Sequence, residues 1–157
     1  MRDFKLETYF CKWEFTAKYN LAASDVESLS ISDLLDMSST SDKQAFQDLW
    51  LGYTETFGNK ELRYEISKTY DTAKPEHILC FAGAEEGIYV AMRVLLKHDD
   101  HAIIVVPNYQ AAETIPLDIC DVSGIPLNPE ENWTLDIDRV KNEIRPNTKL
   151  ISINFPN

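Results

Sequence analysis

Apolar residues fall at helical spacing through residues 5–19, where Leu6, Tyr9, Phe10, Trp13 and Ala17 form one stripe. Asn20 to Ser30 is rich in Ser and Asp and reads as a connecting loop. Ile31, Leu34 and Leu35 share a face behind Ser30, which predicts a capped helix over 31–37. A polar break over 38–43 precedes another short helix marked by Phe46, Leu49 and Trp50. Gly52 and Gly58 punctuate both ends of the next loop, and Leu62, Ile66 and Tyr70 predict a helix over 59–73 that Pro75 ends.

From residue 77 the period changes. His77 to Ala82 is a short apolar run rich in β-formers and predicts a buried strand, broken by Gly83. Ile88, Ala91, Met92, Leu95 and Leu96 then share a helical face. Ala102 to Val106 is a second buried strand, stopped by Pro107. A helix over 110–119 in spite of Pro116, a strand over 121–127, a helix over 136–144 on Ile137, Val140 and Ile144, and a strand over 150–155 complete the chain. Alternation of strand and helix implies βαβ units, hence an α/β fold with a mostly parallel sheet and helices on its faces.

An apolar content of 44% in 157 residues allows a sizeable core. A net charge of −11 argues against nucleic acid, whose phosphates require clustered Lys and Arg; a solvated acidic surface is the simpler reading. No apolar run reaches the length of a membrane span, and the opening Met1-Arg2-Asp3-Phe4-Lys5 carries no apolar signal region, so the expected location is cytoplasmic. Cys11, Cys80 and Cys120 form no C-x-x-C pair, and Cys80 and Cys120 are expected as buried small hydrophobes. His77, His98 and His101 lack ligand spacing, so no metal site is expected.

The junction Cys80-Phe81-Ala82-Gly83-Ala84-Glu85-Glu86-Gly87 carries the clearest chemistry. A strand end with little bulk leads into a helix start, whose unpaired N–H groups and positive dipole end can bind phosphate without a basic side chain. Glu85 and Glu86 suit the helix dipole equally well without any ligand, and neither G-x-G-x-x-G nor a Walker pattern is present.

The run from Leu51 to Arg63 resembles the Y-x-x-x-x-G-x-x-x-L-R segment of class I/II aminotransferases, with Tyr53, Gly58, Leu62 and Arg63 in the matching places. Gly83-Ala84-Glu85-Glu86, Pro107-Asn108-Tyr109, Ile144 to Lys149 and Asn154-Phe155-Pro156-Asn157 follow in family order, the last like the opening of N-x-P-x-N-P-T-G. Tyr19 to Asp25 is also similar to the N-terminal arm of one branch, less specifically.

That resemblance implies the three-layer α/β/α large domain of pyridoxal-phosphate-dependent transferases, incomplete here, with an N-terminal arm and helices in 1–50 and the first part of the cofactor-binding domain in 51–157. It implies that the amides of Gly83, Ala84 and Glu85 hold the phosphate of pyridoxal 5'-phosphate and that Tyr109 stacks on the pyridine ring. A tyrosine simply packed in a loop after a strand is the alternative for Tyr109. Tyr53 matches a tyrosine that family homodimers contribute across the interface to the neighbouring subunit's phosphate; a turn tyrosine packed on the next helix is its alternative. The substrates implied are an amino acid and a 2-oxo acid. Transamination also requires a lysine bonded to the cofactor aldehyde, an acid at the pyridine nitrogen and an arginine for the substrate carboxylate. In the family these lie beyond N-P-T-G, and no lysine here, among them Lys60, Lys68, Lys74, Lys97, Lys141 and Lys149, stands in the matching context. The expectation is therefore an N-terminal portion without a catalytic residue of its own. A non-catalytic truncated or split-enzyme fragment of the same family is the competing reading. An unrelated nucleotide-binding α/β domain fails on the glycine pattern and on the missing acidic ribose partner. Ser24, Asp25 and Asn157 take no assigned role.

Overall fold

A computed structural model describes residues 3–22 and 25–155. Ser24 and Asn157 lie outside the described residues. The chain divides into two compact units, one of Met1–Phe15 with Cys80–Asn157 and one of Thr16–Leu79.

In the first unit a parallel sheet is built on β1 (His101–Val106), whose residues are buried from His101 through Val105. β1 lies between β2 (Asp121–Pro126) and β3 (Thr148–Ser152), with His101 opposite Asp121 on one side and Ala102 opposite Leu150 on the other. A central parallel strand has both faces covered, which is why its sequence is continuously apolar instead of alternating. Ala102 and Ile104 point to one face and join Met92 of α5 (Ala84–Leu95) and Ala111, Ala112 and Ile115 of α6 (Gln110–Leu117). Ile103 points to the other face and packs with Ile125 and with Val140 of α7 (Ile137–Glu143). The three layers expected of the fold follow directly from this alternation. Each fully buried isoleucine contributes roughly 1.5–3 kcal/mol. The unit also contains α1 (Lys5–Trp13) and a 3₁₀ turn at Pro129–Glu131.

The second unit holds α2 (Ile31–Met37), α3 (Thr40–Gln47), α4 (Lys60–Ser67) and a 3₁₀ turn at Pro75–His77. Arg63 ties this unit together. Its Nε donates to Gly58 O at 3.0 Å and its Nη1 to Pro75 O at 3.1 Å, joining the segments before and after α4.

Several sequence expectations are corrected. The strand expected over His77 to Ala82 does not form: His77 belongs to the 3₁₀ turn, and among the described residues no ladder partner pairs with 78–82, while a strand exists only through such pairing. The break over 38–43 is the start of α3, because Ser39 Oγ accepts from Asp42 N at 3.1 Å and caps it. α4 ends at Ser67 instead of running to 73, since Lys68, Thr69 and Tyr70 donate to carbonyls three residues back and tighten the chain out of α-helical register. α1 stops at Trp13, where turns take over. β3 is displaced towards the N-terminus because its limits are set by its partner, Ile104 lying opposite Ser152. Cys80 and Cys120 are half-buried.

Candidate functional site

Gly83 caps α5 with φ 114° and ψ 154°, a backbone conformation open to glycine and strained for other residues. It offers no side chain to the first turn, so the amides of Ala84, Glu85 and Glu86 keep the orphan donors of a helix start. A Cβ placed on Gly83 would meet nothing within 4 Å, so it is the positive φ and not crowding that calls for glycine here. Glu86 turns back and accepts from Ala82 N at 2.7 Å, which ties its carboxylate to the backbone just before the helix. Gly87 lets Phe81 lie over the first turn, since a Cβ there would come within 3.2 Å of the ring.

Glu85 stays free of this backbone clasp and lines a cleft of about 750 Å³ together with Phe4, Tyr89 and Thr114. No basic side chain lines that cleft. Asp3 and Glu86 line it as well, so the cleft walls are acidic and a phosphate-bearing ligand fits only through the amides and dipole at the α5 start.

Tyr109 caps α6. The turn leading to it is pinned by Asn108, whose Nδ2 donates to Val105 O at 3.1 Å and whose backbone N donates to Glu113 Oε1 at 2.8 Å. The Tyr109 N–H in turn donates to Asn108 Oδ1 at 2.7 Å. Burial raises the Tyr109 phenol above its ordinary value, and the charges of Glu85 and then Glu7 raise it further. Phe4 links the two places, since it lines the cleft that Glu85 lines and its ring also meets the Tyr109 ring.

Tyr53 belongs to the second unit. It stands 99% exposed in the segment between α3 and α4, beside Trp50 and Leu51. Among the described residues no group of three or more His, Cys, Asp and Glu side chains is placed to hold a metal ion, and no helix is long and apolar enough to cross a membrane.

Two residues that the sequence did not point to also stand here. The Phe4 ring meets the Tyr109 ring at 5.1 Å and 74°, and the Gln110 side chain bonds the backbone on either side of Phe4. No local pattern reports contacts between positions 105 and 107 residues apart.

The family model described as aminotransferase class I and II matches residues 21–157. The chain is 33% identical over 121 residues to an aspartate aminotransferase of Pyrococcus horikoshii, covering 73% of this chain and 31% of that protein. It is 22% identical over 154 residues to a capreomycidine synthase of Streptomyces vinaceus, covering 96% of this chain and 39% of that protein. Among solved structures, a PLP-dependent aminotransferase from Streptococcus suis matches with a TM-score of 0.86 and 27% identity, over 96% of this chain and 41% of that one. The chain therefore spans well under half the length of these relatives.

Proposed function

Because the chain belongs to the class I and II aminotransferase family, we propose that it supplies part of a pyridoxal-phosphate-dependent aminotransferase that moves an amino group between an amino acid and a 2-oxo acid. When bound, that cofactor supplies an aldehyde and an electron-withdrawing ring. In this reading the amides of Gly83, Ala84 and Glu85 bind its phosphate and Tyr109 stacks on its ring. Glu86 is held on Ala82 N, so its carboxylate already has a backbone donor. Tyr53, exposed in the second unit, is assigned to the phosphate bound by a second copy in a homodimer. No lysine of this chain is assigned the covalent role.

The observation that carries the reading is the uncapped, positive-φ Gly83 opening α5, with Phe4 shared between the cleft that Glu85 lines and the Tyr109 ring. Titration with pyridoxal phosphate, pyridoxal and inorganic phosphate tests it. Binding should require the phosphate, be competed by inorganic phosphate, and leave no stoichiometric lysine adduct after gel filtration. Pyridoxal binding as tightly as its phosphate ester, or an adduct mapped to one lysine, would contradict it.

A further inference from the structure

We infer that Gln110 is a positioning residue whose side-chain amide clamps the Asp3–Lys5 backbone and thereby holds the Phe4 ring against Tyr109. The inference rests on Tyr109 meeting the cofactor ring, as proposed above.

Phe4 and Tyr109 each occupy the N-cap of a helix, α1 and α6. Neither makes a side-chain cap bond, and an aromatic ring cannot supply one. Aromatic rings at both positions need another explanation, and their edge contact at 5.1 Å and 74° offers it. Such a contact restricts the plane of both rings.

Gln110 supplies what Phe4 cannot. Its Oε1 accepts from Lys5 N, the first amide of α1, at 3.0 Å. Its Nε2 donates to Asp3 O at 2.6 Å. The two bonds grip the backbone on either side of Phe4 and leave the ring itself to Tyr109. Because Gln110 directly follows Tyr109, one short stretch of chain holds both rings. Without the clamp, residues 3–5 would be tethered across more than a hundred positions by little else at this point, and the Tyr109 ring would regain its rotational freedom.

The test compares the full chain with Gln110→Leu, Phe4→Ala and the double variant, each titrated with pyridoxal phosphate and with inorganic phosphate. Both single variants should weaken pyridoxal phosphate by roughly two- to tenfold while leaving inorganic phosphate unchanged, and the double variant should lose no more than either single. A general loss of structure would weaken both ligands, so the ratio isolates the ring contact. Should Gln110→Leu fail to fold, Gln110→Glu keeps the acceptor for Lys5 N–H and loses the donor to Asp3 O, and should show a smaller loss of the same kind. Unchanged pyridoxal phosphate affinity in the single variants, or additive losses in the double, overturns the inference alone. A wild-type chain that binds both ligands equally removes the ring contact itself, and the inference with it.

Discussion

His101 is completely buried at the start of β1, yet it is a titratable residue. Its two ring nitrogens meet Thr148 Oγ1 at 2.8 Å and Ser123 Oγ at 3.0 Å, one on each neighbouring strand. Arg145 N donates to Thr148 Oγ1, and Ser123 Oγ donates to Glu143 Oε2. Thr148 is thus free to donate to Nδ1 while Nε2–H donates to Ser123, an arrangement complete with a neutral imidazole. Burial, then the Arg145 charge, lowers the His101 pKa below 6.5, against the opposing pull of Asp121 and Glu143. Since the folded pKa lies below the unfolded one, the fold has its full stability above pH 6.5 and loses it as pH falls, because the unfolded chain takes up a proton that the folded chain refuses. The urea midpoint should therefore drop between pH 7.5 and 5.5, and the drop should shrink in His101→Gln; a flat wild-type profile would refute this. At Gly83 the argument is steric and conformational. A valine there must adopt φ 114°, at a cost of about 1–3 kcal/mol, and adds a branched side chain at the residue that opens α5. Gly83→Val should weaken pyridoxal phosphate binding by well over tenfold as read by absorbance titration, and unchanged affinity would count against the phosphate role.

Among the elements, α2 shows how a short helix persists without a core. It buries no residue, yet Ser30 Oγ accepts from Asp33 N at 3.1 Å while Asp33 Oδ2 accepts from Ser30 N at 3.2 Å. This reciprocal capping box satisfies two donors at the helix entrance, and the Ser30 hydroxyl holds the Asp33 carboxyl below its ordinary range. Ser30→Ala should lower hydrogen-exchange protection in α2 by roughly fivefold while leaving β1 untouched. Equal protection in the two proteins would mean that contacts other than the cap hold α2. The segment 78–82 is the converse case: its composition is that of a buried strand, but Leu79 and Phe81 stay 50% and 40% exposed, and among the described residues no strand pairs beside them.

For the whole molecule the imbalance lies between apolar content and burial. Trp50, Leu51, Ile153 and Phe155 are exposed, and the residue that α4 buries is the small polar Ser67. β2 and β3 are both edges of the described sheet, and an open edge is a template for association. A domain has a net stability of only about 5–15 kcal/mol, so unpaired strands and uncovered apolar side chains weigh heavily. The isolated chain should therefore self-associate or require a partner, with association rising as salt screens the net charge of −11. Size-exclusion chromatography with light scattering at low concentration checks this; a monodisperse monomer with a sharp cooperative melt would contradict it.

Much of the sheet and its helices was readable along the chain. Continuous apolarity marked β1, helical spacing marked α5 and α7, and Gly83 marked the turn between the 80–82 run and α5. The motif order over residues 51–157 pointed to the family and to the candidate residues. These features depend on backbone preference and periodicity within a few residues, so one-dimensional information suffices. The strand that failed at 78–82, the meeting of Phe4 and Tyr109, the bridging of three strands by His101, and the Gln110 clamp on Asp3 and Lys5 were not readable there. Each needs groups brought together from distant positions, and ladder pairing and side-chain packing exist only once the fold has closed those distances.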